Sequence, residues 1–182
     1  LIHDGRPGVV HLDLPKNVLV SNYHQRENRE NLPSTISKED PLEESKLIIA
    51  ADAINRSTKP IFFLGKGCST EIINLVEKTQ IPFTTTIHSK GVISEDHPLS
   101  LEWCGMHGSA GANFALQKSD CIIGVGARFD DRTTGLLKKY APNAKNIINV
   151  NIDPHSFGKT VKSNVNLVMD SKDFISKIYP LL

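Results

Sequence analysis

Most of the features that announce a function are missing from this chain of 182 residues. No apolar run approaches the roughly 20 residues of a membrane-spanning helix. Neither sign of charge dominates. The 21 basic residues stand against 20 acidic ones and no stretch forms a basic stripe, so neither nucleic acid nor a membrane is an expected partner. Cys68, Cys104 and Cys121 are odd in number and lack C-x-x-C spacing. That argues against a disulfide framework and a thiolate zinc site, and predicts small buried apolar residues in a reducing compartment. G-x-x-x-x-G-K-[ST], G-x-S-x-G and H-E-x-x-H are absent, the histidines are dispersed, and no carboxylate pair has an obvious acid–base role. Such a chain binds something; nothing in it points to bond chemistry of its own.

What is present is an alternation of strands and helices. Residues 8–14, GVVHLDL, read as a strand stopped by Pro15, and residues 22–42 are polar with two prolines, a linker or surface crossover. Leu42, Lys46, Ile49, Ala53 and Ile54 fall at helical spacing. Strands are expected at 60–65, 81–86, 121–126, 146–152 and 166–169. Helices are expected after Ser69, read as an N-cap, near 109–118 and near 171–179. Apolar strands alternating with helices predict an α/β fold with a parallel sheet covered on both faces, whose ligand lies at the carboxyl ends of the strands.

Those strand ends are unusually furnished. LGKGC (64–68) has glycines at 65 and 67 before a helix N-terminus, although Thr70 stands where a G-x-G-x-x-G fingerprint needs its third glycine. TTTIHSKG (84–91) carries hydroxyls and His88, which reads as a ligand contact or as an ordinary loop residue. CGMHGSAGANFAL (104–116) places Met106, a thioether suited to an aromatic ring, among small residues. GVGARFDDRTTG (124–135) puts Arg128, Asp130, Asp131 and Arg132 just past a glycine turn, and VNIDP (150–154) ends in Asp153, either a ribose acceptor or a simple turn residue. Together they favour a long, multi-part ligand.

GRPGVVHLDLPKNV (5–18), GMHG (105–108) and GARFDDRTTG (126–135) resemble the large catalytic subunit of the acetohydroxyacid (acetolactate) synthase family, and GKGVISEDHPLS (90–100) resembles thiamine-diphosphate enzymes more broadly. The resemblance implies a Rossmann-like six-stranded parallel sheet. It implies that residues 1–21 end a pyrimidine-binding domain, 22–42 are a linker and 43–182 are the central FAD domain of a longer polypeptide, in keeping with an opening that lacks Met. FAD contacts carried over by motif are Arg6, Gly65, Gly67, Thr86, Ile87, His88, Met106, His107, Gly108, Gly126, Arg128, Asp130, Ile152, Asp153 and Asp170, with Lys16 near the substrate channel. Arg128 is expected at the flavin nucleotide's phosphates or ribityl chain, and Asp130, Asp131 and Arg132 in a mutually neutralising network. Val9, Lys66, Ser89 and Asn151 depart from residues common in the family. The resemblance further implies thiamine diphosphate and Mg²⁺ in the parent's other domains, a homodimer or homotetramer, a possible regulatory subunit, and the cytoplasm or, in a eukaryote, a mitochondrion or plastid. No catalytic residue falls in these 182. The alternatives are the central domain of another carboligase, such as glyoxylate carboligase, or a stand-alone NAD- or FAD-binding module.

Overall fold

A computed structural model describes residues 8–22 and 41–182, which fall into two compact units. In the first, the expected strand at 8–14 is absent. These residues have exposed side chains and lead into a one-turn helix α1 (Lys16–Leu19). A lone strand cannot satisfy its own backbone groups, and the described residues offer 8–14 no ladder partner.

The second unit carries six parallel strands: β1 (Pro60–Leu64), β2 (Phe83–Thr85), β3 (Ser100–Trp103), β4 (Cys121–Val125), β5 (Asn146–Asn151) and β6 (Val165–Val168). Their order across the sheet is β3-β2-β1-β4-β5-β6, so the chain reverses direction of travel between β1 and β4. This is the doubly wound arrangement in which the crevice beside β1 and β4 is the expected ligand position. The strands are apolar throughout because both faces are covered. On one face Phe62, Leu64, Ile123 and Val150 meet α2 (Pro41–Asn55), α3 (Ile72–Thr79) and α6 (Ser171–Ile178). On the other, Ile61, Phe63 and Ile122 meet α4 (Ala110–Lys118) and Phe129, just ahead of the single turn α5 (Asp131–Thr134).

Two local expectations are corrected. The buried face of α2 is Leu47, Ala50, Ala51 and Ile54, whereas Leu42 and Ile49 are 59% and 57% exposed. Helix α3 starts three residues after Ser69, whose hydroxyl caps nothing. Residues 69–71 instead form tight turns in which the Ile72 and Ile73 N–H groups donate to the Ser69 and Thr70 carbonyls. The expected burial of Cys68, Cys104 and Cys121 holds, and desolvation pushes their thiols up to about 12, 11 and 12, so they stay protonated and unreactive at neutral pH.

At the opposite end of the sheet, Asp120 joins the starts of three strands. Its carboxylate accepts from the Ser57 hydroxyl, from the Thr58 N–H (2.9 Å) and hydroxyl (2.7 Å) and from the Lys59 N–H (2.9 Å), while its carbonyl accepts from Lys145 and Asn146. Desolvation alone would raise this carboxyl, but the Ser57 and Thr58 donors outweigh it and hold it well below the usual range. A depressed carboxyl stabilises the fold above its unfolded pKa of about 3.9 and loses that contribution as pH falls towards its folded value. Asp120→Ala should therefore cost about 1–2 kcal/mol at pH 7, since solvent screens a partly exposed group. The gap from wild type should begin to narrow below about pH 4 and go on narrowing as pH falls towards the folded value. Urea midpoints at pH 7 and pH 3 would check both; an equal gap at the two would reject the assignment.

Candidate functional site

In a parallel sheet every strand points its carboxyl end to one edge, and six strands about 4.8 Å apart make that edge about 24 Å long. The candidate residues in the second unit all follow strand ends. Gly65 and Gly67 follow β1, Thr86, Ile87 and His88 follow β2, and Met106, His107 and Gly108 follow β3. Gly126, Arg128 and Asp130 follow β4, Ile152 and Asp153 follow β5, and Asp170 follows β6. Arg6 lies outside the described residues, and Lys16 opens α1 in the other unit.

The loops are tied to one another. The Thr86 N–H donates to the Leu64 carbonyl at 2.8 Å, and the Ser89 hydroxyl donates to the same carbonyl at 2.6 Å. Ser89 is thus a buried brace that also closes the 86–89 turn through Thr86. The Asn151 side chain donates to the Ala127 carbonyl at 3.3 Å and accepts from the Asp153 N–H at 3.0 Å, joining the loops after β4 and β5. The Ser69 N–H donates to the Ser171 hydroxyl at 3.0 Å, linking the β1 loop to the start of α6.

The glycines at the crevice have an unforeseen occupant, which is each other. A Cβ on Gly65 would lie 2.2 Å from the Gly126 carbonyl oxygen, and one on Gly126 would lie 2.3 Å from the Gly67 carbonyl carbon. The Gly67 N–H donates to the Gly126 carbonyl at 3.2 Å. Backbone is pressed on backbone where the strand order reverses, so these glycines are first a requirement of the fold.

The acidic candidates share a second role. Asp130 accepts from the Thr133 N–H (3.0 Å) and hydroxyl (2.9 Å), Asp153 from the His155 N–H (2.9 Å), and Asp170 from the Lys172 N–H (2.8 Å). Each caps the turn or helix after its strand. The expected charge network is not formed: among the described residues, Arg128, Asp130, Asp131 and Arg132 make no ion pair. Arg128, Asp131 and Arg132 are exposed, where pairing with a carboxylate gains little, and Arg132 Nη1 instead donates to Met106 Sδ at 3.9 Å.

What remains available along the edge is chemically distinctive. Arg128 is an exposed guanidinium without a carboxylate partner among the described residues. His88 and His107 are exposed, and Met106 is 62% exposed beside α4. Thr85 Oγ1, at the last residue of β2, is buried with no hydrogen-bond partner. A cation, two imidazoles, a thioether and an unanswered hydroxyl suit an elongated ligand with an anionic part and a ring, and FAD meets that description. No cluster of His, Cys, Asp or Glu among the described residues could hold a metal ion, and no helix among them is long and apolar enough to cross a membrane. Asn113, Phe129 and Asn151 escaped the sequence reading as organisers of this edge, because an Asn in a helix or a Phe among charges carries no periodic signal.

The family described as thiamine pyrophosphate enzyme, central domain, matches residues 47–178. A probable acetolactate synthase large subunit of Methanococcus aeolicus is 40% identical over 96% of this chain and 30% of its own length. The acetolactate synthase large subunit of Buchnera aphidicola is 36% identical over 98% and 32%. The isozyme 1 large subunit of Escherichia coli is 36% identical over 100% and 32%. The chain spans about a third of the length of the curated relatives it matches. A doubly wound parallel sheet and a family match over most of its second unit lead to one assignment: the chain belongs to the thiamine pyrophosphate enzyme central-domain family.

Proposed function

We propose that this chain is the central domain of an acetolactate synthase, flanked in the parent by domains that hold thiamine diphosphate and Mg²⁺, and that it binds FAD along the carboxyl edge of its sheet. Residues 1–21 then end the preceding domain, 22–42 link, and 43–182 form the central domain. The observation that carries the ligand reading is the exposed Arg128, with no ion-pair partner among the described residues, on the same edge as His88, Met106 and His107. Arg128 would meet the anionic part of the ligand and Met106 a ring face or edge, while the caps at Asp130, Asp153 and Asp170 fix the loops that bear on it. Joining a two-carbon unit from one 2-oxoacid to a second 2-oxoacid involves no net oxidation, so bound FAD supplies structure rather than electrons. Catalysis belongs to the flanking domains, and with it the homo-oligomer and any regulatory subunit.

The full-length protein should purify with flavin absorbance or take up FAD in titration, and NAD should not displace it. Preference for NAD would overturn the ligand reading. The full-length protein should form acetolactate from pyruvate with thiamine diphosphate and Mg²⁺, and should prefer pyruvate to glyoxylate. The 182-residue chain alone should form none, and robust turnover by it would reject this division of labour.

A further inference from the structure

Asn113 lies in the first turn of α4, half-buried, and directs both ends of its side-chain amide at a single residue. The Gly105 N–H donates to Asn113 Oδ1 at 2.9 Å, and Asn113 Nδ2 donates to the Gly105 carbonyl at 2.9 Å. This paired geometry fixes the orientation of one peptide segment at the mouth of the loop after β3. The neighbouring Ser109 hydroxyl fixes the other end of that loop, donating to the Leu101 carbonyl at 2.7 Å while accepting from the Ala112 N–H.

The clamped residue is also the contact point with α5. A Cβ on Gly105 would lie 2.8 Å from the Arg132 carbonyl oxygen and 3.3 Å from Thr133 Cα, and the Met106 N–H donates to that Arg132 carbonyl at 2.9 Å. Strand β3 is at the sheet edge, with β2 and β1 between it and β4, so this contact draws together loops from strands three places apart. Thr133 is in turn held by the Asp130 carboxylate, two residues beyond Arg128. A run of short contacts thus leads from one amide side chain to both segments that bear the exposed ligand groups, 106–107 and 128.

We propose that Asn113 is the positioning residue of this edge: through Gly105 it sets the loop after β3 against the loop after β4, so that Met106, His107 and Arg128 meet one ligand at a fixed separation. The inference rests on the FAD reading for its ligand but not for the coupling between loops. Asn113→Ala leaves the Gly105 N–H and carbonyl without their partners, whereas Asn113→Asp keeps the acceptor and loses the donor.

The test uses the full-length protein, with amide hydrogen exchange followed by mass spectrometry and FAD titration. In Asn113→Ala, peptides covering 104–108 and 130–134 should both exchange at least about tenfold faster while β4 and β5 stay protected, and the Kd for FAD should rise about tenfold, the worth of one to two hydrogen bonds. Asn113→Asp should fall between the variant and wild type, and it carries the measurement if the alanine variant does not fold. Unchanged exchange at 130–134, a uniform loss of protection across the sheet, or, where the wild type binds FAD, a variant Kd equal to that of wild type would each overturn the proposal. A wild type that binds no FAD sinks the ligand reading, and the exchange pattern then decides the coupling alone.

Discussion

Gly126→Ala should cost about 3 kcal/mol or more of folding stability, and Gly65→Ala a similar amount, although each adds a single methyl group to a loop. Gly126 adopts φ +60°, a conformation a side chain disfavours, and its added Cβ would lie 2.3 Å from the Gly67 carbonyl carbon and 2.5 Å from the Cys68 nitrogen. At Gly65 the clash is 2.2 Å with the Gly126 carbonyl oxygen and 2.4 Å with Ala127 Cα. All of these are backbone atoms, so no rotamer change relieves them. The two loops would have to separate, and with them the bond from Gly67 to Gly126 and those from Gly65 and Gly126 to the Val125 and Val150 carbonyls. Gly111→Ala in α4 is the matched control, where the nearest atom to the new Cβ is the Ser109 hydroxyl oxygen at 4.0 Å. That change should be neutral or stabilising by about 0.5–1 kcal/mol. Urea midpoints of the three variants test the contrast, and a Gly126→Ala protein within about 1 kcal/mol of wild type would show that the crevice loops do not need their close contact.

The same contact explains what the sequence could and could not disclose. Strands β1, β4 and β5 are legible because burial on both faces makes them continuous apolar runs, and a parallel alternation then fixes where the ligand edge must be. Strand β3 has no such run. Ser-Leu-Glu-Trp pairs with β2 only at Phe83–Ser100 and Thr85–Trp103, around a bulge where Glu102 takes φ +64° and its carbonyl accepts from the Thr84 hydroxyl. On α2 apolar residues occur all round the helix, so helical spacing marks the helix but not its buried face, which the small Ala50 and Ala51 fill while Ile49 stays exposed. The strand expected at 8–14 alternated well, but alternation says nothing about whether a neighbour exists to complete the ladder. At the site, sequence marks which residues stand at strand ends. It cannot show that Asp130, Asp153 and Asp170 spend carboxylate oxygens on capping, or that glycines suited to a ligand's approach are already approached by the chain.

Phe129→Ala should be as damaging as the glycine variants, at about 3–5 kcal/mol, despite the charged residues around it. The side chain is 4% exposed, its ring 5.1 Å from that of Phe63 and 6.4 Å, edge-on, from that of Tyr140. It lies over the middle of β4 at a position emptied for it: a Cβ on Gly124 would come within 2.8 Å of Phe129 Cε2 and Cζ. The phenyl ring therefore anchors the 126–130 loop to the sheet face, and Arg128 and Asp130 take their places as its neighbours along the chain. Gly124 and Phe129 act as a lock and its filling, which makes the pair separable by a double-mutant cycle. Gly124→Ala alone should cost about 1–3 kcal/mol by crowding a ring packed on both sides. In a Phe129→Ala background the same methyl enters the vacated space, so it should be neutral or slightly stabilising, with a coupling energy of about 1–3 kcal/mol. Additive costs within about 0.5 kcal/mol would mean that the ring does not depend on the glycine. A Phe129→Ala protein that keeps wild-type stability would mean that the loop is held by its polar contacts at Asn151 and Thr133, and that Phe129 is a passenger among the charges.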